Sequence, residues 1–231
     1  MNNTEKLRTW LPLALGLVVL PTLNANAAFV MSLDDLSDAA GPTIIYDGSG
    51  SDFGGPLGVI TYSGAIGSFN VNVTTGVSKP IVGPTTLDLN SINVTGASGG
   101  TLVVKITDTD FTGDYEALAA AFGGTTNGAI DIDFLYDLNN GEFTGTSFAG
   151  GSHVASTGNL SFSNDLWGTV LPGEPFSLSI VATIHHNNGG ELTSFDATIA
   201  PVPLPASALL FGSALAGLGL GWGAKKRRPG R

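Results

Sequence analysis

The sequence predicts an all-β protein: an antiparallel β-sandwich of about nine strands, flanked by an N-terminal signal helix and a C-terminal hydrophobic helix. Three observations predict it. Short runs recur in which apolar and polar residues trade places at every second position, the period of a half-buried strand. Turn residues separate those runs, and glycine alone supplies 33 of the 231 residues. Charged residues make up only 12% of the chain and cysteine is absent, so a core must hold without disulfide or zinc-thiolate staples.

In chain order, Phe69-Asn70-Val71-Asn72-Val73-Thr74 alternates cleanly. In Leu87-Asp88-Leu89-Asn90-Ser91-Ile92-Asn93-Val94 the phase slips at Asn90-Ser91, which predicts a β-bulge. Leu102, Val104 and Ile106 share one face of Thr101–Thr107, and Phe176–Ile184 alternates again. Gly99-Gly100, Gly123-Gly124, Asn139-Asn140-Gly141, Gly150-Gly151 and Asn187-Asn188-Gly189-Gly190 are expected turns. One segment reads differently. Asp114–Phe122 combines an acidic start with Ala and Leu, which predicts a short helix crossing between sheets.

Both ends read as addresses, giving three regions: 1–27, 28–200 and 201–231. Met1–Arg8 carries Lys6 and Arg8, an uncharged stretch follows from Trp10 to Leu23, and Ala25-Asn26-Ala27 places small residues where a signal peptidase reads. The expected cut follows Ala27. At the other end Pro201-Val202-Pro203-Leu204-Pro205 breaks regular structure. Ala206–Gly223 then runs without a charge, long enough for a short membrane helix. Lys225, Lys226, Arg227 and Arg228 form a basic stop that would stay cytoplasmic, leaving the domain outside the inner membrane.

Proline motif, glycine- and leucine-rich span and basic end, in that order, resemble the PEP-CTERM sorting tail of Gram-negative bacteria. The motif Val202-Pro203-Leu204-Pro205 is similar to the VPLPA variant, with Leu204 in place of the glutamate that names the family. The resemblance implies recognition by an exosortase, removal of the span after transient anchoring, and secretion or cell-surface display in a biofilm or exopolysaccharide context. A plain single-span anchor leaves the prolines unexplained. A sortase-type signal fits less well, because Ser207 replaces the threonine of LPxT. The phrases Ile106–Thr112, Phe176-Ser177-Leu178 and Thr193–Ala197 resemble secreted PEP-CTERM domains of unassigned function and imply no chemistry.

Charge excludes one class of partner. From Ala28 to Leu204 there are 18 acidic residues against Lys79 and Lys105, a net charge of −16 with no arginine. Phosphate backbones are held by Lys and Arg, so nucleic acid is not expected as a partner.

Three constellations invite chemistry. Asp108, Asp110 and Asp114 lie in Asp-Thr-Asp-Phe-Thr-Gly-Asp, which offers oxygens at alternate positions for calcium. Counting from Asp108 puts Ala119 where an EF-hand needs its bidentate glutamate, so any calcium site is a looser one. Asp131, Asp133 and Asp137 share the polar face of one run, as a pair of glycosidase carboxylates would, though inert wet strands do the same. His153, His185 and His186 are the only histidines; the last two, being adjacent on a strand, point to opposite faces and cannot bind one metal. Trp167 is the one tryptophan between the two addresses, and a sugar-stacking platform is expected to want more aromatic surface. The reading is a non-enzymatic cell-surface or extracellular-matrix protein with no cofactor. A calcium-dependent polysaccharide-binding or adhesion module is the alternative, and a secreted hydrolase the third choice.

Overall fold

The computed structural model describes residues 28–156 and 160–202. Twelve strands form two six-stranded antiparallel sheets, with no helix among the described residues. The strands are β1 (Val30–Asp35), β2 (Thr43–Tyr46), β3 (Val59–Ile66), β4 (Phe69–Val77), β5 (Leu87–Gly96), β6 (Gly100–Phe111), β7 (Ala117–Thr126), β8 (Ala129–Asp137), β9 (Thr146–Val154), β10 (Ser161–Thr169), β11 (Phe176–His186) and β12 (Leu192–Pro201). The first sheet runs β2-β1-β6-β11-β8-β9, and the second β10-β7-β12-β5-β4-β3.

The alternating runs all fall in strands, and their apolar faces meet between the sheets. Phe69, Phe111, Phe134, Phe176 and Phe195 are among the largest fully buried side chains. Phe122 of the second sheet packs on Phe134 of the first with ring centroids 6.3 Å apart, so the two layers share one core. Near one pole Phe176 touches Phe111, Tyr115 and Tyr136. Burial of such rings is the main stabilising term in a chain with no disulfide.

The bulge predicted at Asn90-Ser91 is present. Phe195 pairs with Ile92 and Ala197 with Leu89, so β5 spends one residue more than β12 there.

Three expectations are corrected. There are twelve strands, because β2, β9 and β10 are short on apolar alternation and gave little signal. The helix expected over Asp114–Phe122 is strand β7: Leu118, Ala120 and Phe122 are buried on one side while Ala119 and Ala121 face out. Pairing to β10 and β12 on both flanks outweighs the helical preference of alanine. Gly123-Gly124 and Gly150-Gly151 lie inside strands rather than in turns. A Cβ at Gly124 would sit 2.1 Å from the Ser194 carbonyl oxygen, so close backbone approach explains that glycine.

Strands β9 and β10, each an edge of its own sheet, meet along one side of the sandwich. A Cβ at Gly168 would lie 2.0 Å from the Phe148 carbonyl oxygen across this seam. On the pole marked by Phe111 and Phe176, β1 begins and β12 ends. Val30 pairs with Thr107 near the end of β6, and Pro201 pairs with Leu118 at the start of β7, the next strand in the chain. The chain therefore enters and leaves the sandwich at the same pole.

Candidate functional site

Two of the three aspartates singled out as a calcium loop, Asp108 and Asp110, are engaged by neighbouring side chains. Asp108 is 1% exposed; it accepts from the Ser78 hydroxyl, the Thr109 amide and the Lys79 ammonium, the last at 2.7 Å. Lys79 Nζ also lies 3.9 Å from the centroid of the Phe111 ring. Asp110 accepts from Asn140 Nδ2 at 2.6 Å, while Asp114 is exposed. Among the described residues no group of three His, Cys, Asp or Glu side chains is arranged to hold a metal ion.

The second aspartate trio also divides. Asp131 and Asp133 are exposed on the outer face of β8, as alternation predicts. Asp137, expected on that same wet face, is buried because the loop 138–145 folds back over it. It accepts from the amides of Asn139 and Gly141 and from the Thr144 hydroxyl. The Thr144 hydrogen bond, opposed by burial and helped by the amides, holds its carboxyl below the usual range.

The histidines separate as their spacing requires. His185 is half-buried beside Asp131, with Nε2 3.4 Å from its carboxylate, and His186 is buried on the other face. Burial pushes His186 below the usual imidazole range, against a smaller opposing pull from Glu191. His153 stacks on Phe162 with ring centroids 5.0 Å apart. Ala25, Ala27, Pro203, Leu204, Pro205, Lys225, Lys226, Arg227 and Arg228 lie outside the described residues, whereas Val202 is described and exposed.

A different surface stands out, on the outer face of the second sheet. Cross-strand register places Trp167, Ala119 and Ala200 in one row across β10, β7 and β12. The next row on that face is Asp165, Ala121, Thr198 and Asp88, reaching β5. The third is Ser163, Gly123 and Asp196. Residues two apart on a strand share a face at roughly 6.7 Å spacing, and three strand intervals from β10 to β5 span roughly 14 Å. The two middle strands contribute mostly Ala, Gly and Thr, so they form a low floor between higher walls. Trp167 and Asp165 make one wall, and Asp88 with Asn90 the other. A shallow depression of about 310 Å³ overlies the second and third of these rows, from Asp165 and Ser163 across to Asp88, and Trp167 stands outside its lining.

Trp167 is 71% exposed, although its ring would gain from burial. The Asp88 carboxylate accepts from Asn90 Nδ2 at 2.7 Å, which fixes its orientation. The face thus offers one free indole surface and several hydrogen-bond acceptors above a floor that obstructs nothing. A polyhydroxylated ring can use both: its C–H face lies on the indole and its hydroxyls donate to carboxylate oxygens. Sequence reasoning discounted Trp167 for want of aromatic neighbours. Small residues on the outward phase of β7, beside an outward tryptophan on the adjoining strand, are visible only once β10 and β7 are known to pair.

No family model matches the chain, and no curated protein matches it. Among solved structures, TmCBM61 in complex with β-1,4-galactotriose aligns over 60% of this chain and 92% of its own, at 8% identity and a TM-score of 0.34. Arthrobacter globiformis isomalto-dextranase complexed with panose aligns over 75% of this chain but 30% of its own, at 12% identity and a TM-score of 0.28. A family two carbohydrate esterase from Cellvibrio japonicus covers 63% of this chain and 36% of its own, at 14% identity and a TM-score of 0.18. These are carbohydrate-binding or carbohydrate-active proteins, and the likeness in each case is loose.

Proposed function

We propose that this chain is an exported, non-enzymatic surface or matrix protein whose β-sandwich binds neutral polysaccharide through the outer face of its second sheet. The exposed indole of Trp167, set beside Asp165 over the Ala119, Ala121 and Gly123 floor, is the observation that carries this reading. A net charge of −16 between the addresses repels uronate- or sulfate-bearing chains, so the polymer is uncharged. Secretion follows from the Ala25-Asn26-Ala27 signal, and retention in exopolysaccharide from an exosortase-read tail at Val202–Pro205. The inner membrane is then a transient partner of the precursor.

Affinity per sugar is modest. An aromatic side chain offers about 150–250 Å². One pyranose covering ~70 Å² of it contributes about 1.8 kcal/mol at ~25 cal/mol per Å², or roughly 20-fold in Kd. A polymer offers the one indole many equivalent sugars, a statistical gain, and avidity through effective concentration enters only where several copies of the domain engage one polymer.

Affinity electrophoresis through gels containing neutral polysaccharides tests the reading. Retardation of the native domain, weakened roughly 20-fold by Trp167→Ala with an unchanged melting temperature, is the expected result. Equal mobility of the two proteins in every polymer would refute it. Once the tail and signal are removed, tryptophan emission comes from Trp167 alone, so a blue shift on ligand addition, excited where tyrosine does not absorb, reports the same site directly.

A further inference from the structure

A second cavity, of about 480 Å³, opens where β1 begins, away from the indole face. Ala28, Asp47, Lys79 and Asp108 are among its lining residues. Its formal charges do not balance. Asp108 is matched by Lys79, but Asp47 is held by the Gly58 amide at 2.7 Å and is in no ion pair among the described residues. The nearby Asp52 and Asp108 are like charges that add to the burden. Ala28 sits half-buried at the edge, its backbone nitrogen donating to Thr109 Oγ1 at 2.8 Å.

In the precursor that nitrogen is a neutral amide. Hydrolysis of the Ala27–Ala28 peptide bond adds water across it, leaving a carboxylate on Ala27 and an ammonium on Ala28. The ammonium has three N–H donors; one satisfies Thr109, and two remain for oxygens in the cavity. We propose that this cavity is the binding site for the protein's own mature amino terminus, whose ammonium is the counter-charge for Asp47. Signal removal then tightens the domain at the moment of export. The proposal rests on cleavage after Ala27 and is independent of the glycan face.

Burial first, then the Asp52 and Asp108 charges, push the Asp47 carboxyl up while Ala28 is an amide, against the Gly58 and Gly48 amides. An acid raised on folding destabilises once pH rises through its native pKa, so the unprocessed form loses stability across that range. A nearby ammonium reverses the effect until it deprotonates, above an ordinary α-amino pKa of about 7.7–8.0.

The test uses exported protein, with its first residue read by amino-terminal sequencing. Inserting Ser-Gly between Ala27 and Ala28 keeps the hydrogen bond from the Ala28 amide to Thr109 Oγ1 but moves the charge by roughly 7 Å. At pH 7 the insertion is expected to lower the melting temperature by roughly 2–4 °C. That gap should close below the Asp47 titration and above that of the amine. It should shrink at least by half in an Asp47→Asn background. Equal melting of native and inserted proteins, or an undiminished drop in Asp47→Asn, overturns the proposal. A mature start other than Ala28 overturns it at its premise, with Trp167-dependent glycan retardation unaffected.

Discussion

Replacing Lys79 by Met isolates what the buried ion pair does. Asp108 is 1% exposed, and Lys79, 22% exposed, supplies the cation at 2.7 Å. Removing one member of a buried pair leaves an uncompensated charge, which costs about 3–5 kcal/mol. The adjoining cavity admits water to the vacated position, and the Ser78 and Thr109 donors remain. Both argue for the lower end, about 3 kcal/mol. Loss of the ammonium above Phe111 adds about 0.5–1 kcal/mol, offset by contact of the methionine with the same ring. For a domain of this size the melting temperature should fall by roughly 6–12 °C. Urea unfolding of native, Lys79→Met, Asp108→Asn and double-variant proteins measures the coupling. The double variant, freed of the stranded charge, should recover most of the loss. A Lys79→Met protein within about 0.5 kcal/mol of native, or no recovery in the double variant, would refute the reasoning.

Asp137→Ala should cost about 1–2 kcal/mol at pH 7, since it strips three hydrogen bonds from the loop 138–145. Because the native carboxyl is depressed below 3.8, its contribution is complete above that value and is lost as pH falls through the native pKa. Acid melts of the two proteins should therefore converge. Gly168→Ala forces a methyl against the Phe148 carbonyl and should cost about 1–3 kcal/mol by prising β9 from β10, read as faster amide exchange in both strands. Phe176→Ala empties the ring cluster at the shared pole and should cost about 3–5 kcal/mol by chemical denaturation.

Strands with one dry and one wet face announce themselves, which is why Phe69–Thr74, Thr101–Thr107 and Phe176–Ile184 were legible. So was the bulge at Asn90-Ser91, because a slipped phase has no other economical explanation. Strand β7 was not. Its outward positions are Ala117, Ala119, Ala121 and Gly123, so the alternation runs between large and small rather than apolar and polar. Composition then favours a helix, and only pairing on both edges overrules it. Asp108 was read as an open calcium ligand and Asp137 as wet, because local pattern cannot report a lysine 29 residues upstream or a loop that folds back. The indole face draws its rows from β5, β7, β10 and β12, strands brought together only by topology.

Entry and exit at one pole give the domain a handle. On the proposed reading, a tail continuing from Val202 would hold that end of the precursor toward the membrane, with Trp167 one strand from β7 beside it. The opposite pole, built from the Ala97–Gly99 and Asn187–Gly190 turns, is left to project. A polymer lying on the indole of that precursor would be gripped near the root of the domain instead of at its tip.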